Sequence, residues 1–134
     1  MPFVIDASIV AAWALQDESD SVTDQLLVRA AEEGAVSPPL LWYEVRNMLL
    51  MAERRKRITP RESDEFLVRV EKLSIEIGEP ADSRQLMRMA RKHLLTCYDA
   101  AYLLTALHRH LPLATLDKKL VAAAKAERLD VLPI

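Results

Sequence analysis

The sequence contains very few cysteines and glycines, and each shortage excludes a kind of site. The single cysteine, Cys97, excludes an internal disulfide and a zinc site built from several cysteines. The two glycines, Gly34 and Gly78, cannot supply a P-loop or a GxGxxG dinucleotide-binding turn. His108 and His110 are two positions apart on a predicted helix, so their side chains point in different directions. A zinc site is therefore not expected.

Long apolar runs and a strong charge of one sign are also missing. No run of about 18 uncharged apolar residues is present, so no membrane-spanning segment is expected. The N-terminal residues lack the basic and apolar regions of a signal peptide, which favours the cytoplasm. Hydrophobic residues make up 51% of the 134 positions, and we expect residues 1–134 to form a single domain. The net charge of −2 gives no overall attraction to nucleic acid.

Short apolar runs alternate with helical periods along the chain. The predicted strands are 3–5, 35–37, 74–77, 113–115 and 130–132, and the predicted helices are 8–16, 21–33, 40–55, 60–72, 83–93, 97–110 and 118–127. In the second helix, Val22, Leu26 and Ala30 form the expected buried stripe. This alternation predicts a three-layer α/β/α fold with a central parallel sheet of about four to five strands.

Four acidic residues lie at or near the starts of predicted helices: Asp6, Glu44, Asp99 and Asp117. Asp6 directly follows the first strand and Asp117 closely follows the fourth. Because ligands of parallel sheets bind outside the carboxyl ends of the strands, we expect both at that edge. Each acid also has an ordinary explanation. Asp6 and Asp117 could cap the helices that follow them, Asp99 could complete a capping box with Thr96, and Glu44 could be a surface residue.

Considered together, the four acids favour a cation site. Two carboxylates about 5 Å apart repel by roughly 3 kcal/mol at an effective dielectric near 20, so a group of four requires a cation or raised pKa values. Mg²⁺ suits such a site because it binds a few carboxylates and leaves its other positions to water and phosphate. Ser8 and Thr115 add hydroxyls beside Asp6 and Asp117, and Asn47 lies one turn after Glu44 on the same helix face.

Four segments, in this order, resemble the PIN-domain ribonucleases, and among them the VapC-type toxins of VapBC type II toxin–antitoxin systems. They are Val4-Ile5-Asp6-Ala7-Ser8, Pro39-Leu40-Leu41-Trp42-Tyr43-Glu44-Val45-Arg46-Asn47, Tyr98-Asp99-Ala100-Ala101-Tyr102 and Thr115-Leu116-Asp117. The resemblance covers essentially the whole chain and implies that the four acids are both the catalytic residues and the metal ligands. Ser8 and Thr115 are then the hydroxyl neighbours of that site.

The resemblance also implies an activity and partners. It implies an endoribonuclease that depends on Mg²⁺ or Mn²⁺ and uses metal-activated water to cleave RNA, leaving 5′-phosphate and 3′-hydroxyl ends. It further implies a homodimer and a cognate antitoxin whose C-terminal segment blocks the site.

Two basic clusters are candidates for contact with the RNA backbone if the resemblance holds. They are Arg54, Arg55, Lys56 and Arg57 in one cluster, and Arg84, Arg88 and Arg91, spaced i, i+4, i+7 on a predicted helix, in the other. Either cluster could instead be an ordinary solvated helix face. Trp13, Trp42 and Tyr43 could stack on bases, although core packing is the expected role.

Three other interpretations compete with this one. A haloacid-dehalogenase-like phosphatase needs a second aspartate two residues after the first, where this chain has Ser8. A receiver domain needs further acids for which Glu79 and Asp82 are poor matches. A PIN-like fold that serves only as a binding or assembly module is the third, and the four intact acids argue against it.

Overall fold

The computed structural model describes residues 1–15 and 21–133, and within them a five-stranded sheet is flanked by seven helices. In chain order the elements are β1 (Phe3–Ile5), α1 (Ala7–Ala14), α2 (Ser21–Glu33), β2 (Ala35–Ser37), α3 (Leu41–Arg54), α4 (Pro60–Val70), β3 (Ile75–Ile77), α5 (Ser83–His93), α6 (Cys97–Arg109), β4 (Leu113–Ala114), α7 (Lys118–Ala126) and β5 (Val131–Leu132).

The sheet is parallel throughout, with the strand order β3-β2-β1-β4-β5. From the central strand β1 the chain builds outward through β2 to β3, and then crosses to the other side of β1 to form β4 and β5. Val4 is therefore aligned with Val36 on one side and with Leu113 on the other. The point where the strand order reverses lies between β1 and β4, and ligands of open parallel sheets bind at the carboxyl edge there.

Helices cover both faces of the sheet, as the alternating pattern predicts. Helix α6 packs against β1, β2 and β4 and also contacts α5 and α7, while α1 packs against α2 and α3. Phe3, Val4 and Ile5 are fully buried between the layers. The prediction of a three-layer α/β/α fold with a parallel sheet of four to five strands is confirmed.

Local sequence signals account for several helix ends. Thr59 and Glu62 form the predicted capping box at the start of α4, with Pro60 in the first turn. Phe66 and Val70 of that helix are buried, as expected. Gly34 stops α2 because its φ of 86° lies in the left-handed region that glycine adopts without strain.

Some of the expectations from sequence are wrong in detail. Helix α1 begins at Ala7, one residue earlier than predicted, because Asp6 rather than Ser8 is its N-cap. It ends at Ala14, and the predicted end at Gln16 lies outside the described residues. Val22 is 38% exposed, and Thr23 is buried in its place, so the inward face of α2 is rotated by one residue from the predicted stripe.

Core packing was the expected role of Trp13, Trp42 and Tyr43, and this expectation is wrong for one of them. Tyr43 is 79% exposed because it lies on the outer side of the first turn of α3. Trp13 and Trp42 are partly buried against the core, as expected. No helix among the described residues is long and apolar enough to cross a membrane.

Candidate functional site

Asp6 lies at the point where the strand order of the sheet reverses. It directly follows β1, is buried at 5% exposure and forms the N-cap of α1. Its Oδ1 atom accepts hydrogen bonds from Ser8 Oγ at 2.6 Å and from the backbone N–H of Ile9 at 3.3 Å. Its Oδ2 atom accepts from Thr115 Oγ1 at 2.5 Å, which joins the end of β1 to the segment after β4.

The two hydroxyls beside Asp6 are oriented by the backbone of that second segment. Ser8 Oγ accepts from the N–H of Leu116 at 3.0 Å, and Thr115 Oγ1 accepts from the N–H of Asp117 at 3.0 Å. Since each hydroxyl has one proton and already accepts from an N–H group, its proton is directed at Asp6. Both hydroxyls therefore act as donors to an ionised carboxylate.

Opposing effects set the pKa of Asp6. Burial has the largest effect, and the net result of all of them is a pKa raised from 3.8 to about 6. The hydrogen bonds from Ser8, Thr115 and the Ile9 N–H each lower it, and the charge of Asp99 raises it. Near neutral pH, Asp6 is thus a buried anion that is stabilised by hydrogen bonds. In the described part of the chain, no positively charged side chain is among the groups that shift its pKa.

Glu44 reaches the site from the first turn of α3. Its side chain is half-buried, and its Oε1 atom accepts a hydrogen bond from the Tyr102 hydroxyl at 2.7 Å. Burial raises the pKa of Glu44, the Tyr102 hydrogen bond lowers it and the charge of Asp99 raises it. Burial and the Glu44 carboxylate both raise the pKa of Tyr102, which favours the protonated hydroxyl as the donor to Glu44.

Asp99 is the electrostatic neighbour that the other three acids share. It is half-buried in the first turn of α6, where its backbone N–H donates to Thr96 Oγ1 at 3.1 Å. Burial raises its pKa, the charge of Asp117 raises it further, and Thr96 and Lys119 lower it. Because the charge of Asp99 also raises the pKa values of Asp6 and Glu44, it interacts with all three of the other acids.

Asp117 caps a helix, and its charge also raises the pKa of Asp99. Its Oδ1 atom accepts from the N–H of Leu120 at 3.0 Å and so caps α7. The ordinary capping role considered for Asp6 and Asp117 is therefore real for both residues. Capping is compatible with a site because both caps lie at the carboxyl edge of adjacent strands, β1 and β4.

Sequence reasoning missed two residues of this region. Tyr102 lies three positions after Asp99, a spacing that places both side chains on one face of a helix, and this signal was available. Lys119 lies in the first turn of α7, where the helix dipole disfavours a cation, and its charge lowers the pKa of Asp99. Each acts on an acid that the sequence had already indicated.

The remaining predicted residues are exposed on α3, just after it and on α5. Asn47 is exposed one turn after Glu44, and its membership of the site remains a prediction. Arg54, Arg55, Lys56 and Arg57 are exposed at the end of α3 and just beyond it. Arg54 is ten positions from Glu44, or about 15 Å along the helix axis. Arg84, Arg88 and Arg91 are exposed on α5.

The chemistry of the donors fits a hard divalent cation. Carboxylate and hydroxyl oxygens are the ligands that Mg²⁺ and Mn²⁺ prefer, and Mg²⁺ is often bound through only one or two carboxylates together with water and phosphate. In the part of the chain that the structure describes, no three His, Cys, Asp or Glu side chains are grouped closely enough to enclose an ion by themselves. The acids could thus bind an ion only as an open site that leaves positions for water and substrate.

Fold and site together define a three-layer α/β/α protein with an acidic, oxygen-rich site at the switch point of its parallel sheet. The chain belongs to the PIN domain family, whose sequence profile matches residues 3–126. The predicted resemblance to this family is therefore confirmed, and the phosphatase and receiver-domain interpretations are wrong. A comparison with curated protein sequences finds no significant match.

Three solved structures share this fold. PAE2754 from Pyrobaculum aerophilum is 26% identical, with a TM-score of 0.77 over 98% of this chain and 90% of that one. FitAcB from Neisseria gonorrhoeae is 17% identical, with a TM-score of 0.66 over 96% and 95% of the two chains. VapC20 of Mycobacterium tuberculosis, a sarcin–ricin loop cleaving toxin, is 11% identical, with a TM-score of 0.61 over 90% and 94%.

Proposed function

We propose that this protein is a metal-dependent endoribonuclease and the toxin of a type II toxin–antitoxin pair. Asp6, Glu44, Asp99 and Asp117 are its catalytic acids and the ligands of a Mg²⁺ or Mn²⁺ ion. PIN domains are generally nucleases, and VapC20 is a toxin that cleaves the sarcin–ricin loop. Family membership supports the reaction class, and the likeness of fold to VapC20 supports the toxin role.

The observation that carries the proposal is the environment of Asp6. A buried carboxylate with a raised pKa is costly to keep ionised, yet Ser8 and Thr115 both direct their protons at it. The charge of Asp99 adds to that cost. An arrangement that stabilises an anion beside other anions is explained by a cation that binds among them.

The residues of the site have distinct tasks in this scheme. When bound, the ion supplies a Lewis acid that activates water and stabilises charge on the phosphate. Ser8 and Thr115 hold Asp6 in one orientation, and Tyr102 does the same for Glu44. Lys119 adds a positive charge close to Asp99, where it can contact a phosphate oxygen of the RNA.

The partners follow from the same proposal. RNA is the substrate, and the two basic clusters contribute affinity for its backbone without reading its sequence. A cognate antitoxin inhibits the enzyme in the cytoplasm, and the active toxin is a homodimer. Induced expression in a bacterial host is then expected to arrest growth, and Asp6→Asn to abolish the arrest.

The test is an RNA cleavage assay on total cellular RNA. The protein is refolded free of any bound inhibitor and incubated with Mn²⁺, with Mg²⁺ or with a chelator. Discrete fragments with 5′-phosphate ends in the metal lanes, absent with the chelator and with Asp6→Asn, are expected. Asp82→Asn is the matched control, because Asp82 caps α5 and asparagine caps equally well. Fragments that persist in Asp6→Asn would contradict the proposal.

A further inference from the structure

Ser37 has a buried hydroxyl group that has no role in the acidic site as described so far. It is the last residue of β2, and its side chain is 0% exposed. Among the residues that the structure describes, Ser37 Oγ forms no hydrogen bond of ordinary geometry. A buried hydroxyl without a partner is destabilising, and alanine would fill the same place without that penalty. Packing therefore does not explain why a serine ends this strand.

The topology of the sheet places Ser37 beside the acidic site. β2 is the parallel neighbour of β1, and their register puts Ser37 level with Ile5, one residue before Asp6. The carbonyl of Ser37 accepts a hydrogen bond from the N–H of Gly78 at 2.8 Å, which fixes the end of the strand. Thr115 directly follows β4 on the other side of β1. Polar side chains thus lie at the carboxyl ends of three adjacent strands.

The Ser37 side chain lies beside the Tyr102 hydroxyl. Tyr102 belongs to α6, which packs against β2, and it donates to Glu44 Oε1 at 2.7 Å. Burial raises the pKa of Tyr102 most, followed by Glu44 and then Asp6, whereas the Ser37 hydroxyl lowers it. A neighbouring hydroxyl lowers the pKa of a phenol when it donates to the phenol oxygen, because that bond stabilises the phenolate. Ser37 is thus placed to donate to the hydroxyl that holds Glu44.

The protons of these two hydroxyls have one favourable arrangement. Each hydroxyl has one proton to donate, and each oxygen can also accept. The Tyr102 proton is directed at Glu44, because an ionised carboxylate is a stronger acceptor than a neutral hydroxyl. The Ser37 proton is then the donor to the Tyr102 oxygen. Hydrogen bonds in such a chain polarise one another, so donation by Ser37 strengthens the bond from Tyr102 to Glu44.

We propose that Ser37 is a positioning residue of the acidic site, whose hydroxyl donates to the Tyr102 oxygen and keeps the Tyr102 proton on Glu44. This inference rests on the proposed function, in which Glu44 is a ligand of the metal ion. Ser37 contacts neither the ion nor the RNA in this role. It acts on metal binding through Tyr102, so its effect must disappear when the Tyr102 hydroxyl is absent. That dependence distinguishes positioning from a general contribution to stability.

A double-mutant cycle tests this dependence. Isothermal titration gives the dissociation constant of Mn²⁺ for the wild type, Ser37→Ala, Tyr102→Phe and the double variant. Ser37→Ala alone is expected to weaken Mn²⁺ binding by about 3- to 10-fold, the effect of about one hydrogen bond. In the Tyr102→Phe protein, the same substitution should change the dissociation constant by less than about 2-fold.

Ser63→Ala is the matched control for the loss of a buried hydroxyl. Ser63 Oγ is also buried and lacks a hydrogen bond among the described residues, but it lies on α4. The substitution therefore makes the same chemical change away from Tyr102 and Glu44. It should leave Mn²⁺ binding unchanged.

The contact between Ser37 and Tyr102 is measured without metal. Tyrosine labelled with ¹³C at Cζ gives an NMR signal for each of the three tyrosines, and Tyr102→Phe assigns the signal of Tyr102. In EDTA, Ser37→Ala is expected to shift the Tyr102 signal and to leave those of the exposed Tyr43 and Tyr98 in place. Ser63→Ala should shift none of the three signals.

The outcomes separate this inference from the proposed function. If Ser37→Ala leaves the Tyr102 signal in place, or weakens Mn²⁺ binding equally with and without the Tyr102 hydroxyl, the positioning role is wrong while the proposed function stands. An equal loss of Mn²⁺ affinity in Ser63→Ala would also overturn it. If the wild type binds no Mn²⁺, the proposed function fails and the positioning role fails with it, even where the NMR signal shows the contact.

Discussion

The Tyr102 hydroxyl donates a 2.7 Å hydrogen bond to Glu44 Oε1 and joins the second turn of α6 to the first turn of α3. Tyr102 itself is 1% exposed. The two residues are 58 positions apart in sequence, and the contact holds one of the four acids at a fixed place relative to Asp99, which lies one turn before Tyr102. The acidic site thus depends on a buried phenol as well as on the acids.

Removing that hydroxyl is expected to weaken metal binding without unfolding the protein. Tyr102→Phe leaves the packing intact but frees the Glu44 carboxylate, and loss of such a supporting contact lowers metal affinity by about 10- to 100-fold. Isothermal titration with Mn²⁺ measures the effect. Thr105→Val is the control, since Thr105 is also buried on α6 but its hydroxyl bonds only to Ala101 O in that helix. An equal loss in both variants would contradict the positioning role.

The raised pKa of Asp6 predicts the pH dependence of stability in the metal-free protein. Because the pKa is about 6 in the folded state, above the ordinary aspartate value of 3.8 that applies to the unfolded chain, the folded protein binds this proton more tightly. The contribution is fully present below pH about 4 and is lost as the pH rises through about 6, amounting to about 3 kcal/mol over that window.

Urea unfolding of the wild type and of Asp6→Asn in EDTA, from pH about 4 to about 8, isolates this contribution from those of the other carboxylates. The wild type should lose stability relative to Asp6→Asn as the pH rises. A difference that stays constant or changes in the opposite direction would show that Asp6 is not destabilised by its burial.

Asp99→Asn should raise the melting temperature of the metal-free protein. The substitution keeps the shape of the side chain and removes the charge that raises the pKa values of Asp6 and Glu44. Differential scanning calorimetry in EDTA measures the change, with Asp82→Asn expected to have no effect. A lower melting temperature would mean that Asp99 is a hydrogen-bonding partner of the fold rather than one of several crowded acids.

Thr115→Val tests the hydroxyl that connects the two sides of the switch point. It removes the donor to Asp6 Oδ2 and the acceptor for the Asp117 N–H at once. RNA cleavage is expected to fall by about 10- to 100-fold, and the pKa of Asp6, followed by carboxyl-carbon NMR, should rise. An unchanged pKa would contradict the hydrogen-bond assignment even if cleavage fell.

Much of the fold could be predicted because β1, β2 and β4 are short buried strands and several helices begin at clear N-caps. Phe3-Val4-Ile5 is followed by a capping aspartate, and Thr59 with Glu62 defines a helix start unambiguously. The orientation of α2 was predicted less well, because Val22 is the more apolar residue but the geometry buries Thr23. Which face of a helix turns inward depends on tertiary packing, which apolar periodicity only approximates.

The site was predicted less completely than the fold. The four acids could be singled out as candidates because each lies at or near the start of a helix, and the topology brings Asp6 and Asp117 to adjacent strand ends. The link between Tyr102 and Glu44 could not be found, since it depends on how α3 and α6 approach each other across the molecule. Long-range pairing of this kind is set by the packing of the layers, and no local signal encodes it.

The central claim is that the four acids form one divalent-cation site. Electron paramagnetic resonance of Mn²⁺ titrated into the protein tests it most directly, using the wild type, Asp6→Asn, Glu44→Gln and Asp99→Asn, with Asp82→Asn as control. The account predicts saturable Mn²⁺ binding by the wild type and by Asp82→Asn, and strongly weakened binding in the other three variants. Unchanged Mn²⁺ binding in all of them would contradict it and would leave a binding or assembly module as the better interpretation.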